Sequence, residues 1–111
     1  MKLPLHASAT IDLAKLRDYV LNPDHPRGKH KATVFARVLG LDARDASELK
    51  RQILAQIGDA ECHPGFADNY GQRFHADVPV SGKSGRAIVR TGWILLKGES
   101  APRLTTCFVK S

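Results

Sequence analysis

The spacing of apolar residues changes at Tyr70, and this change restricts the chain to a few folds. Before it, apolar residues such as Leu13, Leu16 and Val20 recur every three or four positions, the spacing of a helix with one buried face. After it, apolar and polar residues alternate, as in "QRFHADVPV", which is typical of a strand with one buried face. The sequence therefore predicts helices followed by a sheet.

Three helices are predicted before Tyr70. The stretches "DLAKLRDYVL" and "KHKATVFARVLG" are separated by Pro23 and Pro26, which cannot continue a helix, and Gly40 is placed to end the second. In "DASELKRQILAQIGDA", Asp45 and Glu48 have the spacing of a capping box. We expect the stretch "ECHPGFADNYG" that follows to be a loop.

Three strands are predicted after it, in "QRFHADVPV", "RAIVRTGWILL" and "RLTTCFV". The second has apolar residues on both faces, so it is expected at a central position with Trp93 in the core. The fold class is α+β: a single domain, 1–111, whose N-terminal helices pack on one face of a C-terminal antiparallel meander of three to four strands. A short N-terminal strand is the candidate for the fourth.

The chain carries a net charge of +6, and this charge is uneven. Residues 22–40 and 71–111 are basic, whereas residues 41–70 are acidic. If the two basic blocks meet in space, they form a patch suited to a polyanion. The alternative is that this positive charge only keeps the protein in solution.

Neither the cysteines nor the N-terminus indicates an exported or membrane protein. Cys62 and Cys107 have no metal-ligand spacing, and a reducing compartment is the simpler interpretation, although a disulfide between them stays open. "MKLPLHASATI" lacks the sustained apolar run of a signal peptide, and no segment reaches the length needed to cross a bilayer. We expect a cytoplasmic protein with no membrane partner.

The motifs that are missing from the sequence exclude several kinds of catalytic site. No glycine-rich phosphate loop, zinc-spaced Cys/His motif or nucleophile elbow is present, so no cofactor and no metal is predicted. The remaining His, Lys, Arg and Thr residues suit metal-independent cleavage of RNA. One group takes the proton of a ribose 2′-hydroxyl, and an arginine stabilises the phosphoryl oxygens. The product is a 2′,3′-cyclic phosphate, and DNA is inert because it lacks the 2′-hydroxyl.

The start of the second helix supplies one group of candidates, Lys29, His30 and Lys31. Free N–H groups and the positive end of the helix dipole attract phosphate at such a position. A solvated junction between loop and helix is the alternative.

The strands supply the other candidates. Arg90 lies in mid-strand, where it must face a groove or pair, and Asp77 is the candidate partner. Thr105 and Thr106 are adjacent in a strand, so one is expected on each side of the sheet. The remaining candidates for binding substrate on the strands are Arg73, His75, Thr91 and Arg103.

Several ordered blocks resemble an uncharacterised bacterial domain family. They are "LRDYVLNPDHPRGKHKATVFARVLGL", "YGQRF.ADVPV.G..GR...VRTGWIL" and "PRLTTCFV", and they span roughly residues 13–109. Members of that family are free-standing or form the C-terminal ends of contact-dependent and polymorphic toxins. The resemblance implies a compact RNase toxin domain, similar in plan to the barnase, EndoU, colicin tRNase and RelE group. That group carries its site on the sheet and an adjoining helix.

Residue by residue, the resemblance assigns site positions to His30, Lys31 and Arg90, and adds Thr91, Arg103 and one of the two threonines of "PRLTT". It also implies an acidic antitoxin or immunity protein that covers the basic face. Because this chain begins with Met, we expect a free-standing member.

Two functions therefore compete. The first is a metal-independent endoribonuclease, a toxin acting on RNA, with tRNA among the possible targets, and with His30, Lys31, Arg90 and Thr106 as catalytic residues. The second is a non-catalytic RNA-binding or protein-interaction module that uses the same basic sheet face. The first requires Lys31, Arg90 and one of the threonines to converge in a single concavity.

Overall fold

Helices occupy the N-terminal half of the computed structural model, which describes residues 1–111. Helix α1 (residues 13–20) is an α-helical turn, Leu13–Lys15, that continues as a π-helical segment, Leu16–Val20. Helix α2 (residues 29–39) likewise joins Lys29–Val34 to a π-helical segment, Phe35–Leu39. Helix α3 is Ala46–Gln56, and short 3₁₀ turns lie at His6–Ser8, Ala43–Asp45 and Ile57–Asp59. None of the helices has the length and apolar character needed to cross a lipid bilayer.

The cap before α3 lies three residues earlier than predicted. The Asp42 carboxylate accepts the N–H of Arg44, and the Asp45 carboxylate accepts the N–H of Asp42, so the capping box is Asp42 with Asp45. The predicted box of Asp45 with Glu48 is wrong. Glu48 instead accepts hydrogen bonds from Arg51 and Gln52, its neighbours on the next turn of the helix.

The C-terminal part is a four-stranded antiparallel sheet in which each strand pairs with the next along the chain. The α+β class and the meander are therefore confirmed. Strand β3 lies in the interior of the sheet, between β2 and β4, as its apolar residues on both faces indicated. The strands are β1, Cys62–Ala67; β2, Gly71–Gly82; β3, Gly85–Leu96; and β4, Arg103–Val109.

The fourth strand comes from a segment that was predicted to be a loop. Strand β1 pairs with β2 through Cys62, His63 and Pro64, and its register shifts before Ala67. All of β1 beyond Cys62 is exposed, so it shows no alternation of apolar and polar residues. The N-terminal segment, predicted as the candidate strand, makes only a single bridge, Thr10 to Arg103.

The helices cover one face of the sheet, where the core forms. Helix side chains such as Phe35, Leu49 and Ile53 and sheet side chains such as Val78 and Trp93 are fully buried there. The opposite face is in contact with solvent and is called the open face below. Its residues alternate with those of the core along each strand: His63, Arg73, His75, Asp77, Ile88, Arg90, Gly92, Ile94, Thr106 and Phe108.

The two cysteines are reduced and lie too far apart to pair. Both are buried, and they stand at opposite ends of one row of the sheet, Cys62, Ala76, Thr91 and Cys107. Three strand spacings separate them, about 14 Å. A disulfide needs Cα atoms within about 7 Å, so the open question of a Cys62–Cys107 bond is settled against it.

Candidate functional site

Lys31 joins three elements at the edge of strand β4. Its Nζ donates to the hydroxyl of Tyr19 on α1 at 3.1 Å and to Oγ1 of Thr106 on β4 at 3.2 Å. The same ammonium lies 5.1 Å from the centroid of the Tyr19 ring. These three residues are called the Lys31 cluster, and they place a cation, a phenol and a hydroxyl at one point.

The loop before α2 holds this cluster in place. Nδ1 of His25 accepts the N–H groups of Arg27 and Gly28, and its ring meets the Tyr19 ring edge-on at 4.7 Å between centroids. A β carbon at Gly28 would lie 2.1 Å from the carbonyl oxygen of Tyr19, so only glycine allows this approach. The "NPDHPRG" loop is therefore a packed cap that sets the distance between α1 and α2.

Because of this cap, fewer backbone N–H groups at the start of α2 are free to bind an anion than the sequence predicts. The N–H groups of Arg27 and Gly28 are bonded to His25, and the N–H of Lys29 donates to the carbonyl oxygen of His25. The prediction that free N–H groups there attract phosphate is therefore wrong for these three groups. These three groups are therefore not available to an anion near this helix start.

The Lys31 ammonium changes the proton affinity of its neighbours. The hydrogen bond from Lys31 lowers the pKa of the Tyr19 phenol, and this outweighs the opposing effect of burial; the Lys31 charge, the Thr106 hydroxyl and Arg27 lower it further. Burial raises the pKa of Cys107 to about 12 in spite of the nearby Lys31 charge. The Tyr19 phenol thus gives up its proton more readily than a free tyrosine, and Cys107 stays a thiol.

His30 lies beside the Lys31 cluster. His30 and Lys31 line a shallow cavity of about 370 Å³ together with Val34, Phe108 and Val109. The structure therefore places His30 beside Lys31 in this cavity, and Thr106 in contact with Lys31. Lys29 precedes them on the first turn of α2, and its side chain is exposed.

Arg90, the fourth predicted catalytic residue, lies apart from this cavity. Its Nε and Nη2 donate to the two carboxylate oxygens of Asp77 at 2.9 and 3.2 Å, and Lys110 donates to the same carboxylate at 3.0 Å. Pairing with Asp77 was the structural alternative for Arg90. No cavity is lined by both Lys31 and Arg90, so the expected single concavity is not what the structure shows.

The predicted binding residues of β2 lie on the open face. Arg73 is exposed, and His75 stacks on His63 of β1 with ring centroids 5.1 Å apart. His75 faces Gly92 across the β2–β3 pairing, and Gly92 faces Thr106 across the β3–β4 pairing. One row of the open face therefore runs from His63 to the Lys31 cluster.

A β-bulge corrects the expected orientation of the two threonines. The register shifts between Gly92 and Trp93, so that Thr105 is an extra residue in β4. Oγ1 of Thr105 would lie 3.0 Å, and Cγ2 of Thr106 3.5 Å, from a β carbon placed at Gly92. Both side chains thus approach the same point above the open face, and the expected one-to-each-side arrangement is wrong.

Thr91 and Arg103 have other surroundings. Thr91 is 0% exposed; its Oγ1 donates to the carbonyl oxygen of Ala76 at 2.7 Å and accepts from Nε1 of Trp93 at 2.8 Å. The prediction that Thr91 binds substrate is corrected, because its side chain has no exposed surface. Trp93 is in the core, as predicted. Arg103 pairs with Glu99 and lines a separate cavity of about 290 Å³ with Thr105.

Comparison with known protein families places the chain in one of them. A family match covers residues 2–111. The chain belongs to the family described as Domain of unknown function (DUF6883). No curated protein and no solved structure matches this DUF6883 chain.

Sequence reasoning missed three residues that shape the site of this DUF6883 protein. Tyr19 was assigned only to a helix, His25 only to a turn, and His63 to a loop. Tyr19 and Lys31 are twelve positions apart on different helices, and His63 contacts His75 only because β1 is a strand.

Proposed function

We propose that the protein is a metal-independent endoribonuclease that cleaves RNA by attack of a 2′-hydroxyl, leaving a 2′,3′-cyclic phosphate. The observation that carries this proposal is the contact of Lys31 with Tyr19 and Thr106, next to His30. These groups supply a positive charge, a phenol with a lowered pKa and a hydroxyl in one half-buried place. They are the functional groups that this reaction needs.

Each group has a role in the proposed reaction. Tyr19 takes the proton of the 2′-hydroxyl, because the hydrogen bond from Lys31 lowers the pKa of its phenol. Lys31 neutralises the charge that builds up on the phosphoryl oxygens, and the Thr106 hydroxyl holds one of those oxygens. His30, which lines a cavity with Lys31, gives a proton to the leaving 5′-oxygen.

Charge and chain order support RNA as the substrate. The two histidines of the open face belong to the row that ends at the Lys31 cluster, and Arg73 lies two residues from His75 on β2. The order of helices followed by an antiparallel meander is also the plan that the toxin resemblance implies. We therefore propose a cytoplasmic toxin whose basic surface is covered, in the resting cell, by an acidic antitoxin or immunity protein.

A non-catalytic RNA-binding or protein-interaction module is the second candidate, and the position of Arg90 favours it. An arginine that stabilises a phosphoryl transition state needs free donors at the reacting atom. Arg90 uses Nε and Nη2 on Asp77 and is not part of the cavity at Lys31. Exposed Ile88 and Phe108 on the same face suit binding without any chemistry.

Cleavage in the presence of EDTA tests the proposal. Purified protein is incubated with total tRNA and with an unstructured RNA, and the product ends are examined for 2′,3′-cyclic phosphate. We expect Lys31→Met to lower the rate about 10²–10³-fold and Tyr19→Phe about 10²–10⁴-fold. Lys97→Ala removes the same charge from the exposed β3–β4 turn, and its cleavage rate is expected to stay within about twofold of the wild-type rate.

The same proteins separate the two candidate functions. Intact RNA with and without Mg²⁺, together with salt-dependent RNA binding and normal growth of cells that express the wild type, would establish the binding module instead. Growth arrest by the wild type that Lys31→Met relieves, at unchanged thermal stability, is the result expected of a nuclease toxin.

A further inference from the structure

Two cavities lie along strand β4, one on each side of the Lys31 cluster. Residues 103–105 of β4 line the first, which has a volume of about 290 Å³. Phe108 and Val109 line the second, of about 370 Å³. Thr106, whose hydroxyl accepts from Lys31, comes between these two sets. Along the strand, the order is therefore first cavity, Lys31 cluster and second cavity.

The helices beside β4 repeat this order. Lys15 of α1 lines the first cavity, and Tyr19, one turn further along α1, bonds Lys31 in the cluster. His30 and Lys31 of α2 line the second cavity. Both helices contact β4. The two cavities and the cluster therefore form one path between β4 and the helices, which is called the β4 path below.

The first cavity combines an apolar floor with polar groups that lack partners in the chain. The Lys15 ammonium and the Thr105 hydroxyl make no hydrogen bond to another residue, and both side chains are half-buried. The Asp12 carboxylate accepts the N–H of Ala14 through Oδ1, which leaves Oδ2 free. Apolar surface with a few polar groups is typical of sites for small ligands. The apolar surface comes from Ile94, Leu96 and Leu104.

Charges around the first cavity cancel. Lys15 and Arg103 are cations, Asp12 is an anion, and Glu99 pairs with Arg103. A phosphate gains little in such surroundings, whereas a neutral ring with donors and acceptors on its edge meets partners of both kinds. The free oxygen of Asp12 suits an amino group, which adenine, guanine and cytosine carry and uracil lacks. The first cavity therefore suits a nucleobase.

Lys31 and the second cavity have no acid beside them. The Lys31 ammonium donates to the hydroxyls of Tyr19 and Thr106 and pairs with no carboxylate. Lys31 is therefore the point of the β4 path that attracts a phosphate. The second cavity suits a second base, because its lining is apolar apart from His30 and Lys31. This apolar lining consists of Val34, Phe108 and Val109.

The spacing of the two cavities requires the bases to be unstacked. Thr105 and Phe108 are three residues apart on β4, about 10 Å. Neighbouring bases in a helix are only about 3.4 Å apart. A strand that places one base in each cavity therefore has to splay the two bases to opposite sides of the phosphate between them.

We propose that the β4 path binds one phosphodiester unit of single-stranded RNA, with its phosphate at Lys31 and one nucleobase in each cavity. Duplex RNA is excluded because its bases are stacked and paired, whereas an unpaired loop or end supplies splayed bases. This inference rests on the proposed function in one respect: the phosphodiester held at Lys31 is the bond that is cut. Binding itself requires no cleavage, so the two proposals can fail separately.

Binding of a non-cleavable dinucleotide tests the β4 path. The probe is adenylyl-3′,5′-adenosine with a 2′-O-methyl group in place of the attacking hydroxyl, titrated into isotope-labelled protein and followed by NMR. We expect Lys15→Met to weaken its binding about 2- to 10-fold. Phe108→Ala is expected to weaken it about 5- to 150-fold. The two mononucleotides, 2′-O-methyladenosine 3′-phosphate and adenosine 5′-phosphate, should bind more weakly, and each should respond to only one of these substitutions.

Two substitutions outside the path are the matched controls. Lys50→Met removes a half-buried lysine of α3, and Phe66→Ala removes an exposed phenylalanine of β1. Neither residue lines a cavity. Both variants are expected to bind the dinucleotide within about twofold of the wild type.

Absence of dinucleotide binding, equal affinity of the wild type, Lys15→Met and Phe108→Ala, or equal affinity for the same bases in a duplex would overturn the β4 path. Tighter binding of a polyglutamate peptide than of the dinucleotide would assign the path to an acidic protein instead. Thermal melting shows whether Phe108→Ala is folded, and Lys15→Met tests the path even where it is not. Dinucleotide binding without RNA cleavage would keep the path and overturn only the nuclease.

Discussion

Replacing Thr91 with valine tests whether this threonine serves the fold rather than a ligand. The Thr91 hydroxyl donates to the carbonyl oxygen of Ala76 and accepts from the indole N–H of Trp93, at 2.7 and 2.8 Å. Both Thr91 and Trp93 are shielded from water. Valine has nearly the same shape, so the substitution removes the hydroxyl without opening a cavity.

The expected cost follows from these two bonds. A buried polar group that loses its partner costs about 1–3 kcal/mol, and Thr91→Val leaves an indole N–H without its acceptor and a carbonyl without one of its donors. We therefore expect the free energy of unfolding to fall by about 2–4 kcal/mol. For a domain of this size that corresponds to a melting temperature lower by about 10–20 °C.

Urea denaturation followed by Trp93 fluorescence measures this loss. Thr105→Val is the matched control, since the Thr105 hydroxyl makes no hydrogen bond within the chain and its side chain is half-buried. It is expected to change the free energy of unfolding by less than about 0.5 kcal/mol. Our assignment of Thr91 to the core would be refuted if Thr91→Val kept wild-type stability and lost RNA binding.

Three further predictions concern charge, packing and thiols. The hydrogen bond from Arg90 lowers the pKa of Asp77 to about 2, so this carboxylate stabilises the fold fully above about pH 4 and loses that effect as the pH falls towards 2. Asp77→Asn should therefore make the free energy of unfolding less dependent on pH in this range, by at most about 2 kcal/mol, as urea denaturation at several pH values would measure. Gly28→Ala places a β carbon 2.1 Å from the Tyr19 carbonyl oxygen and should cost about 1–3 kcal/mol, with an unchanged melting temperature counting against the packed cap. Because burial raises the pKa of Cys107 to about 12 and also raises that of Cys62, iodoacetamide at pH 8 should add to neither in the folded protein and to both in urea, as mass spectrometry would show.

The change of period at Tyr70 was enough to predict most of the fold. Strands β2, β3 and β4 follow the predicted stretches closely because each has a buried face that alternates with an exposed one. The helices were predictable from their apolar stripes, and Gly40, with φ at 69°, ends α2 as expected. These features depend on local spacing, which a sequence displays directly.

The features that were missed depend on contacts between distant residues. Strand β1 has no buried alternation, so only its pairing with β2 makes it a strand. The bulge at Thr105 arises from the register of β4 against β3, which spacing along β4 does not reveal. Tyr19 entered the site because Gly28 lets the start of α2 approach α1, and nothing near Tyr19 in the sequence marks that approach.

The bulge explains why the helix start and the open face form one surface. In a regular strand, either Thr105 or Thr106 would point into the core, where its hydroxyl would need a buried partner. With one residue inserted, the Thr106 hydroxyl accepts from Lys31 while its methyl group lies near Gly92. Thr106 is thus bonded to Lys31 on one side and lies near Gly92 of the open face on the other. The bulge leaves one residue of strand β4 unpaired with β3, and this irregularity connects the Lys31 cluster to the open face.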